Sequence, residues 1–192
     1  MKKLKIALVG VGQRGLQHLQ ALSDLKDEEL ISIQALVDPF KENLDNDKIK
    51  SYVPNYDEKG VKYFNKFNEM VDSVNVDAIW FVIPPNQHKN EIIFAADKGI
   101  AIFAEKPQSL FLDEVFPMAE AIEKNNVPSI CGFQMEYDTW YSKVRSYLSD
   151  KEVSSIMMIN CGAVETHGVK HTIINKNDGP QDRIWTADRK WS

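Results

Sequence analysis

The feature that most constrains this chain is a glycine-rich turn between an apolar strand and an amphipathic helix. Residues 4–9 are almost all apolar, which is typical of a parallel strand covered on both faces. From residue 16 to residue 25 leucine recurs every three positions, which gives a helix one apolar face. Between these two segments lies the glycine turn, which consists of Gly10, Val11, Gly12, Gln13, Arg14 and Gly15.

Each glycine of this turn has a mechanical task if the turn holds a dinucleotide. Gly10 permits a tight bend, Gly12 lets the backbone approach a pyrophosphate, and Gly15 lets the helix pack closely on the strand. The amide groups and dipole at the helix N-terminus, beside Gln13 and Arg14, then favour an anion. Glycines also mark ordinary turns, but the spacing between a strand and a helix predicts a dinucleotide site.

The rest of the first two thirds of the chain alternates in the same way. Further apolar runs predict strands at residues 31–37, 77–83, 100–104 and 127–131. Helical spacing predicts helices at residues 13–25, 67–74, 86–98 and 113–125, while the polar stretch 41–62 predicts a helix followed by a loop. Short right-handed links between such elements predict an α/β fold of the Rossmann type, with a doubly wound parallel sheet.

The alternation stops after Gly132. Residues 141–148 resemble a helix, residues 153–160 resemble a strand, and residues 162–192 are polar without a convincing period. We therefore divide the chain into a dinucleotide-binding domain at residues 1–132 and, at residues 133–192, the start of an incomplete second domain for substrate or oligomer contacts. Since an apolar edge strand seeks a partner, we expect a homo-oligomer or a further portion of the protein to cover it.

The second strand ends on an acidic residue, Asp38, a little over twenty positions after Gly15. A carboxylate at this place accepts hydrogen bonds from the adenosine ribose of a dinucleotide and repels the additional phosphate of NADP. The residue therefore favours NAD as the cofactor over NADP. An alternative is that Asp38 caps a turn with Pro39.

Two further motifs follow strands at the same edge of the predicted sheet. Pro84, Asn86 and His88 come after the third apolar run, and Glu105 with Lys106 after the fourth. His88 either lines a nicotinamide pocket or caps the first helical turn. Lys106 directs a cation toward the expected position of the cofactor ring, although lysines at loop tips are often simply solvated.

Charge and composition exclude several classes of function. The 23 basic and 28 acidic residues give a net charge of -5 and are interspersed, which argues against a nucleic-acid partner. The sequence has neither a signal-peptide core nor a run of about 20 apolar residues, so we expect a cytoplasmic protein that binds no membrane. Cys131 and Cys161 lie far apart, and we expect no metal site.

Four motifs in this order resemble those of the Gfo/Idh/MocA oxidoreductases, and the resemblance covers residues 5–160. The motifs are the glycine turn, the Val-Asp-Pro strand end, the Pro-Pro-Asn-Gln-His turn and Glu-Lys-Pro. The resemblance implies that Lys106 contacts substrate and nicotinamide. It also implies that Asn86 and His88 line the cofactor site, that Glu105 shapes the loop, and that the segment with Gln134 enters a second α/β domain. The reaction implied is hydride transfer between a nicotinamide and a sugar or polyol.

The sequence departs from the family pattern in two places. Met135-Glu136-Tyr137 lacks the arginine that usually precedes the aromatic residue, and no Asp-and-His segment follows before residue 192. His167 and His171 lack the flanking glycines and aspartate of that segment. We therefore expect an NAD-dependent oxidoreductase that binds its cofactor but turns over poorly alone. The alternative is an NAD(H)-binding regulatory module that recruits a partner.

Overall fold

The computed structural model describes residues 2–157 and 159, which contain one parallel six-stranded sheet in the order β3-β2-β1-β4-β5-β6. This strand order is that of the doubly wound dinucleotide-binding folds, and it confirms the predicted fold class. The strands are β1 (Leu4–Val9), β2 (Ile31–Val37), β3 (Lys62–Phe64), β4 (Ala78–Phe81), β5 (Ala101–Ala104) and β6 (Ser129–Cys131).

Helices connect consecutive strands, as parallel pairing requires. They are α1 (Gln13–Asp27), α2 (Asn46–Tyr52), α3 (Phe67–Ser73), α4 (His88–Asp97) and α5 (Leu112–Lys124), and a further helix, α6 (Thr139–Leu148), follows β6. Single 3₁₀ turns lie at Lys41–Leu44, Pro85–Gln87 and Gln134–Tyr137. Helix α4 begins two residues later than the sequence predicts, because the segment that starts at Pro85 forms one of these turns instead.

The core has two parts, one on each face of the sheet. Ile79 and Phe81 of β4 pack with α4 and α5 on one face, whereas Ala78 and Trp80 pack with α1 on the other. Both faces are therefore apolar, which explains why the central strands lack a polar alternation. Complete burial of a side chain as large as Phe81 contributes about 1.5–3 kcal/mol, so this strand is a main source of stability.

The polar stretch 41–62 differs from its prediction as a helix followed by a loop. It contains the expected helix, α2, but its last residue begins strand β3 at the edge of the sheet. This strand pairs with β2 from Ala35 opposite Lys62 to Val37 opposite Phe64. A strand of three residues that starts with an exposed lysine has too short an alternation to be distinguished from a loop.

The strand predicted at residues 153–160 is wrong over the part that the structure describes, residues 153–157 and 159. These residues form no ladder with another described strand, and Ile156, Met157 and Ile159 are largely exposed. An apolar run becomes a strand only where a neighbour accepts its backbone hydrogen bonds. The rest of the chain, including Cys161, His167 and His171, lies outside the described residues.

The described chain divides into two compact units after Gly132. The first, residues 2–132, contains the whole sheet and both parts of the core. The second, residues 133–157 and 159, contains α6, which has no buried residue. The predicted extent of a second domain to residue 192 stays a prediction. Within the described part of the chain, no helix has the length and apolar character needed to cross a membrane.

Candidate dinucleotide site at the carboxyl edge of the sheet

The sheet reverses its winding direction at β1, which lies between β2 and β4. Connections that leave the two sides of such a strand diverge, and a crevice opens between them at the carboxyl edge, where folds of this class bind ligands. Gly10 follows β1, Asp38 follows β2 and Glu105 follows β5 at this edge. The topology thus places the three predicted motifs at the same edge of the sheet.

The glycine turn needs two of its glycines for steric reasons. Gly10 has φ +92°, and a Cβ atom there would lie 2.2 Å from the carbonyl oxygen of Val82. A Cβ atom on Gly15 would lie 2.1 Å from the carbonyl oxygen of Gly10. Both distances are far inside van der Waals contact, so alanine at either position would force the backbone to move.

Helix α1 begins directly at the turn, with Gly12 as its N-cap residue. No side chain at the cap accepts a hydrogen bond from the helix, and the first turn contains no acidic residue. The exposed guanidinium of Arg14 donates to Gln17 Oε1 at 2.7 Å and adds positive charge to this end of the helix. The N-terminus thus has the polarity that an anion such as a pyrophosphate requires.

Asp38 connects the end of β2 to the glycine turn. Its Oδ2 accepts a hydrogen bond from the backbone N–H of Val11 at 2.8 Å. Its Oδ1 accepts one from the N–H of Phe40 at 2.9 Å and one from Asn43 Nδ2 at 3.2 Å. The bond to Phe40 is the turn cap that the sequence offered as an alternative, and the bond to Val11 is a contact that it did not predict.

The carboxyl group of Asp38 is almost completely buried, with 4% of the residue exposed. Burial raises the pKa of Asp38 above its ordinary value, and the hydrogen bonds from Val11, Phe40 and Asn43 oppose that shift. A carboxylate has about four acceptor positions, of which three are used here. With these three contacts among the described residues, at most one position is left for a ligand hydroxyl, which is fewer than the two hydroxyls of a ribose diol.

His88 is the most deeply buried of the predicted site residues, with 0% exposed. Its Nδ1 lies 2.9 Å from the carbonyl oxygen of Gln108, and its Nε2 lies 2.9 Å from that of Ile83. The ring therefore joins the turn after β4 to the loop after β5. Burial lowers the pKa of His88, and the contacts with the two carbonyl oxygens oppose that shift. In this arrangement neither nitrogen faces the crevice.

The loop after β5, residues 105–111, is here called the lysine loop. The N–H of Glu105 donates to the carbonyl oxygen of Phe81, which ties the start of the loop to β4. Glu105 Oε2 accepts from the N–H of Lys106 at 3.0 Å, and the Lys106–Pro107 peptide bond is cis. The side chain of Lys106 is exposed, as a residue that meets a ligand must be before binding.

The remaining predicted residues differ in how well the structure describes them. The carbonyl oxygen of Pro84 accepts from the N–H of Gln87 at 2.9 Å and so closes the turn that contains Asn86. Nothing is described of the Asn86 side chain itself. Gln134 is exposed and belongs to the second unit, so its contact with the cofactor stays a prediction.

Two residues that the sequence did not single out lie beside the lysine loop. His18 Nε2 is 2.8 Å from Glu105 Oε1, and Trp80 Nε1 is 3.3 Å from His18 Nδ1. These contacts join positions 87 and 62 residues apart in the sequence, which no local pattern reveals. The sequence indicates His18 only weakly, because it is three residues after Gly15 and hence on the same side of α1.

Comparisons with known proteins agree with this geometry. The model of the Gfo/Idh/MocA oxidoreductase family, in its NAD-binding Rossmann fold, matches residues 4–133. Inositol 2-dehydrogenase of Corynebacterium glutamicum is 23% identical over 159 residues, which are 82% of this chain and 44% of that protein. Myo-inositol 2-dehydrogenase of Thermotoga maritima is 28% identical over 142 residues, which are 74% of this chain and 40% of that protein.

Solved structures give the same result. Scyllo-inositol dehydrogenase of Lactobacillus casei, with bound NAD(H) and scyllo-inositol, is 26% identical and has a TM-score of 0.65, over 77% of this chain and 41% of that one. The chain thus spans about two fifths of the length of the relatives it matches. Because the family model covers more than half of the chain, the chain belongs to the Gfo/Idh/MocA oxidoreductases and contains their NAD-binding Rossmann domain.

Proposed function

We propose that the chain binds NAD(H) at the glycine turn, in preference to NADP, as part of an enzyme that oxidises or reduces a sugar or polyol. The observation that carries the proposal is the reversal of strand order at β1, which brings the glycine turn, Asp38 and the lysine loop to one edge. The substrate class is supported by the dehydrogenases of inositols among the relatives.

Asp38 has two tasks in this proposal. Its Oδ2 holds the N–H of Val11 and so fixes the glycine turn relative to the end of β2. Its remaining acceptor position takes one hydroxyl of the adenosine ribose. A 2′-phosphate at the same place would bring two negative groups together in a poorly solvated position, which is the basis for the preference for NAD.

Lys106 and its neighbours act where the nicotinamide and the substrate would meet. Bound NAD would supply a hydride acceptor at C4 of its nicotinamide ring. The Lys106 ammonium donates a hydrogen bond to the substrate oxygen and stabilises negative charge on it. His88 holds the lysine loop by its contact with Gln108 rather than contacting the cofactor itself. From the family resemblance, we also propose cofactor contacts for Asn86 and Gln134.

The regulatory alternative is favoured by one observation. Both nitrogens of His88 are within hydrogen-bond distance of carbonyl oxygens, so this ring has no open position for proton transfer to a substrate. A module that senses NAD(H) without turnover needs no such group. We also propose that other protein surface covers the exposed aromatic side chains of the second unit, through a homo-oligomer or a further part of the protein.

The test is a calorimetric titration of the chain with NAD and with NADP, followed by a turnover assay over a panel of polyols and sugars. We expect NAD to bind at least about tenfold more tightly than NADP, the difference that one unfavourable charge contact of about 1.4 kcal/mol produces. Equal affinities would contradict the role of Asp38. Both the incomplete enzyme and the regulatory alternative predict tight binding without turnover by this chain, whereas turnover would contradict the regulatory alternative. The mass in solution reports the oligomeric state.

A further inference from the structure

We propose that His18 is a positioning residue. Its contact with the side chain of Glu105 couples the position of Lys106 to the position of helix α1. The inference rests on the proposed function, because it concerns the nicotinamide end of the same crevice. It adds a residue outside the predicted motifs and gives Glu105 a specific task.

The contact with Trp80 selects one tautomer of His18. An indole Nε1–H is a donor and never an acceptor, so the His18 Nδ1 at 3.3 Å from it must present its lone pair. In the neutral ring the proton is then on Nε2, which donates to Glu105 Oε1 at 2.8 Å. Each nitrogen is thus matched to its partner, and the ring aims a donor at the carboxylate.

Aromatic packing fixes the orientation of this ring. Trp80 stacks on Phe103 with ring centroids 4.4 Å apart and an angle of 9°. The ring of His18 is tilted against Phe103 with centroids 5.3 Å apart. Since Trp80 and Phe103 are on the paired strands β4 and β5, the histidine is held against the sheet.

Glu105 uses both of its oxygens. Oε1 accepts from His18, while Oε2 accepts from the backbone N–H of Lys106. A Cβ atom on Gly132 would approach Glu105 Cδ to 3.4 Å and Phe103 Cζ to 3.1 Å, so the glycine leaves the room that this arrangement occupies. The side chain of Glu105 is 14% exposed, and poor solvation strengthens both hydrogen bonds.

The consequence is a mechanical link between the two ends of the crevice. His18 belongs to α1, whose N-terminus lies at the glycine turn, and Glu105 precedes the lysine that is proposed to meet the substrate. A shift of α1 therefore moves the peptide group of Lys106. Loss of the His18 donor would leave Glu105 free to rotate and would release the N–H of Lys106.

The experiment compares NADH with ADP-ribose, which has the same pyrophosphate and adenosine but no nicotinamide. Calorimetric titrations are made on the full chain as wild type, His18→Leu, His18→Gln and Gln20→Leu. Glutamine at position 18 retains an N–H donor for Glu105. Gln20 is on the same helix but faces Asp24 and Asn55, so it is the matched control for loss of a polar side chain.

We expect His18→Leu to weaken NADH about tenfold, the effect of losing one hydrogen bond to a charged group, and ADP-ribose less than about twofold. His18→Gln should recover most of the NADH affinity, and Gln20→Leu should change neither ligand. Equal weakening of both ligands, or no change in NADH, would overturn the proposal. If the wild type binds neither ligand, the proposed function is wrong.

A second measurement does not depend on any ligand. In ¹⁵N-labelled protein, the amide of Lys106 should exchange with solvent about tenfold faster in His18→Leu than in wild type, because Glu105 no longer holds it. Trp80→Phe, which retains the stacking on Phe103 but removes the donor to His18, should give a smaller increase and replaces His18→Leu if that variant fails to fold. Unchanged exchange at Lys106 would contradict the positioning role.

Discussion

The two ends of the crevice differ in whether backbone groups or side chains form them. At the glycine end, residues 10–15 and Asp38, the backbone makes the site: a positive φ, an uncapped helix terminus and amide hydrogens fixed by a carboxylate. At the lysine end, side chains far apart in sequence make it, since His18, Trp80 and Glu105 converge from helix α1, strand β4 and the lysine loop. The first end demands particular backbone conformations, and the second demands particular tertiary contacts.

This difference predicts that substitutions at the two ends will have different effects on the affinities for NADH and for ADP-ribose. Changes at the glycine end should weaken NADH and ADP-ribose together, because both contain the pyrophosphate and the adenosine ribose. Changes at the lysine end should weaken NADH alone.

Gly10→Ala should have the largest effect, because its Cβ atom would meet the carbonyl oxygen of Val82 at 2.2 Å in a backbone with φ +92°. We expect a loss of about 3 kcal/mol in the free energy of unfolding, and a loss of at least about a hundredfold in affinity for both ligands. Thermal unfolding and calorimetric titration measure the two quantities.

The matched control for that variant is Gly60→Ala. Gly60 also has a positive φ, +82°, but a Cβ atom there meets nothing within 4 Å. It should cost only the backbone strain, about 1 kcal/mol, and leave both affinities unchanged. If Gly10→Ala bound both ligands with wild-type affinity, the proposal that they bind at the glycine turn would be contradicted.

Asp38→Ala should follow, since it removes the acceptor for Val11 and the proposed partner of the ribose. We expect NAD affinity to fall about tenfold or more, and the preference over NADP to disappear. Asp45→Ala is the control, because Asp45 accepts the N–H of Lys48 as the cap of α2 and should cost about 1 kcal/mol of stability alone. A preference for NAD that survives Asp38→Ala would show that another residue selects the cofactor.

Lys106→Met tests the lysine end with a side chain of similar length. We expect NADH to bind about three- to tenfold more weakly, and ADP-ribose to bind as before, because the lost charge lies at the nicotinamide end alone. The same substitution at Lys98, at the C-terminus of α4, should change neither affinity. Parallel losses for both ligands in Lys106→Met would contradict the division of the crevice into two ends.

The smallest effect is a pH dependence of stability. Because burial lowers the pKa of His88 in the folded chain, the unfolded chain binds a proton more readily below its ordinary pKa of about 6.5. Stability should fall as pH decreases from 6.5 through the lowered pKa, and His88→Gln should reduce that slope. Denaturant midpoints between pH 5 and pH 7 measure it. A steeper slope in His88→Gln would mean that the two carbonyl oxygens hold the imidazolium form.

The same contrast explains what could be predicted from the sequence. The bounds of β1 and β2 were predicted to the residue, because long apolar runs end at Gly10 and at Asp38-Pro39, and the fold followed from the alternation of elements. The glycine turn was equally clear, since its three glycines lie within six consecutive residues between a strand and a helix.

What escaped prediction depends on partners distant in the sequence. Strand β3 exists because β2 offers it an edge, and the apolar run from Val153 onward is no strand, over its described residues, where no such edge is offered. His18 appeared to be an ordinary helix residue, since its partners Trp80 and Glu105 become neighbours only after the sheet has formed.

The central claim is that NAD(H) occupies the crevice at β1, and amide chemical shifts of the ¹⁵N-labelled chain test it most directly. On addition of NADH, the account predicts the largest changes at the amides of residues 10–15, at Asp38 and at Lys106, with ADP-ribose reproducing all but the last. Absence of any shift at millimolar NADH, or changes confined to other parts of the chain, would contradict it.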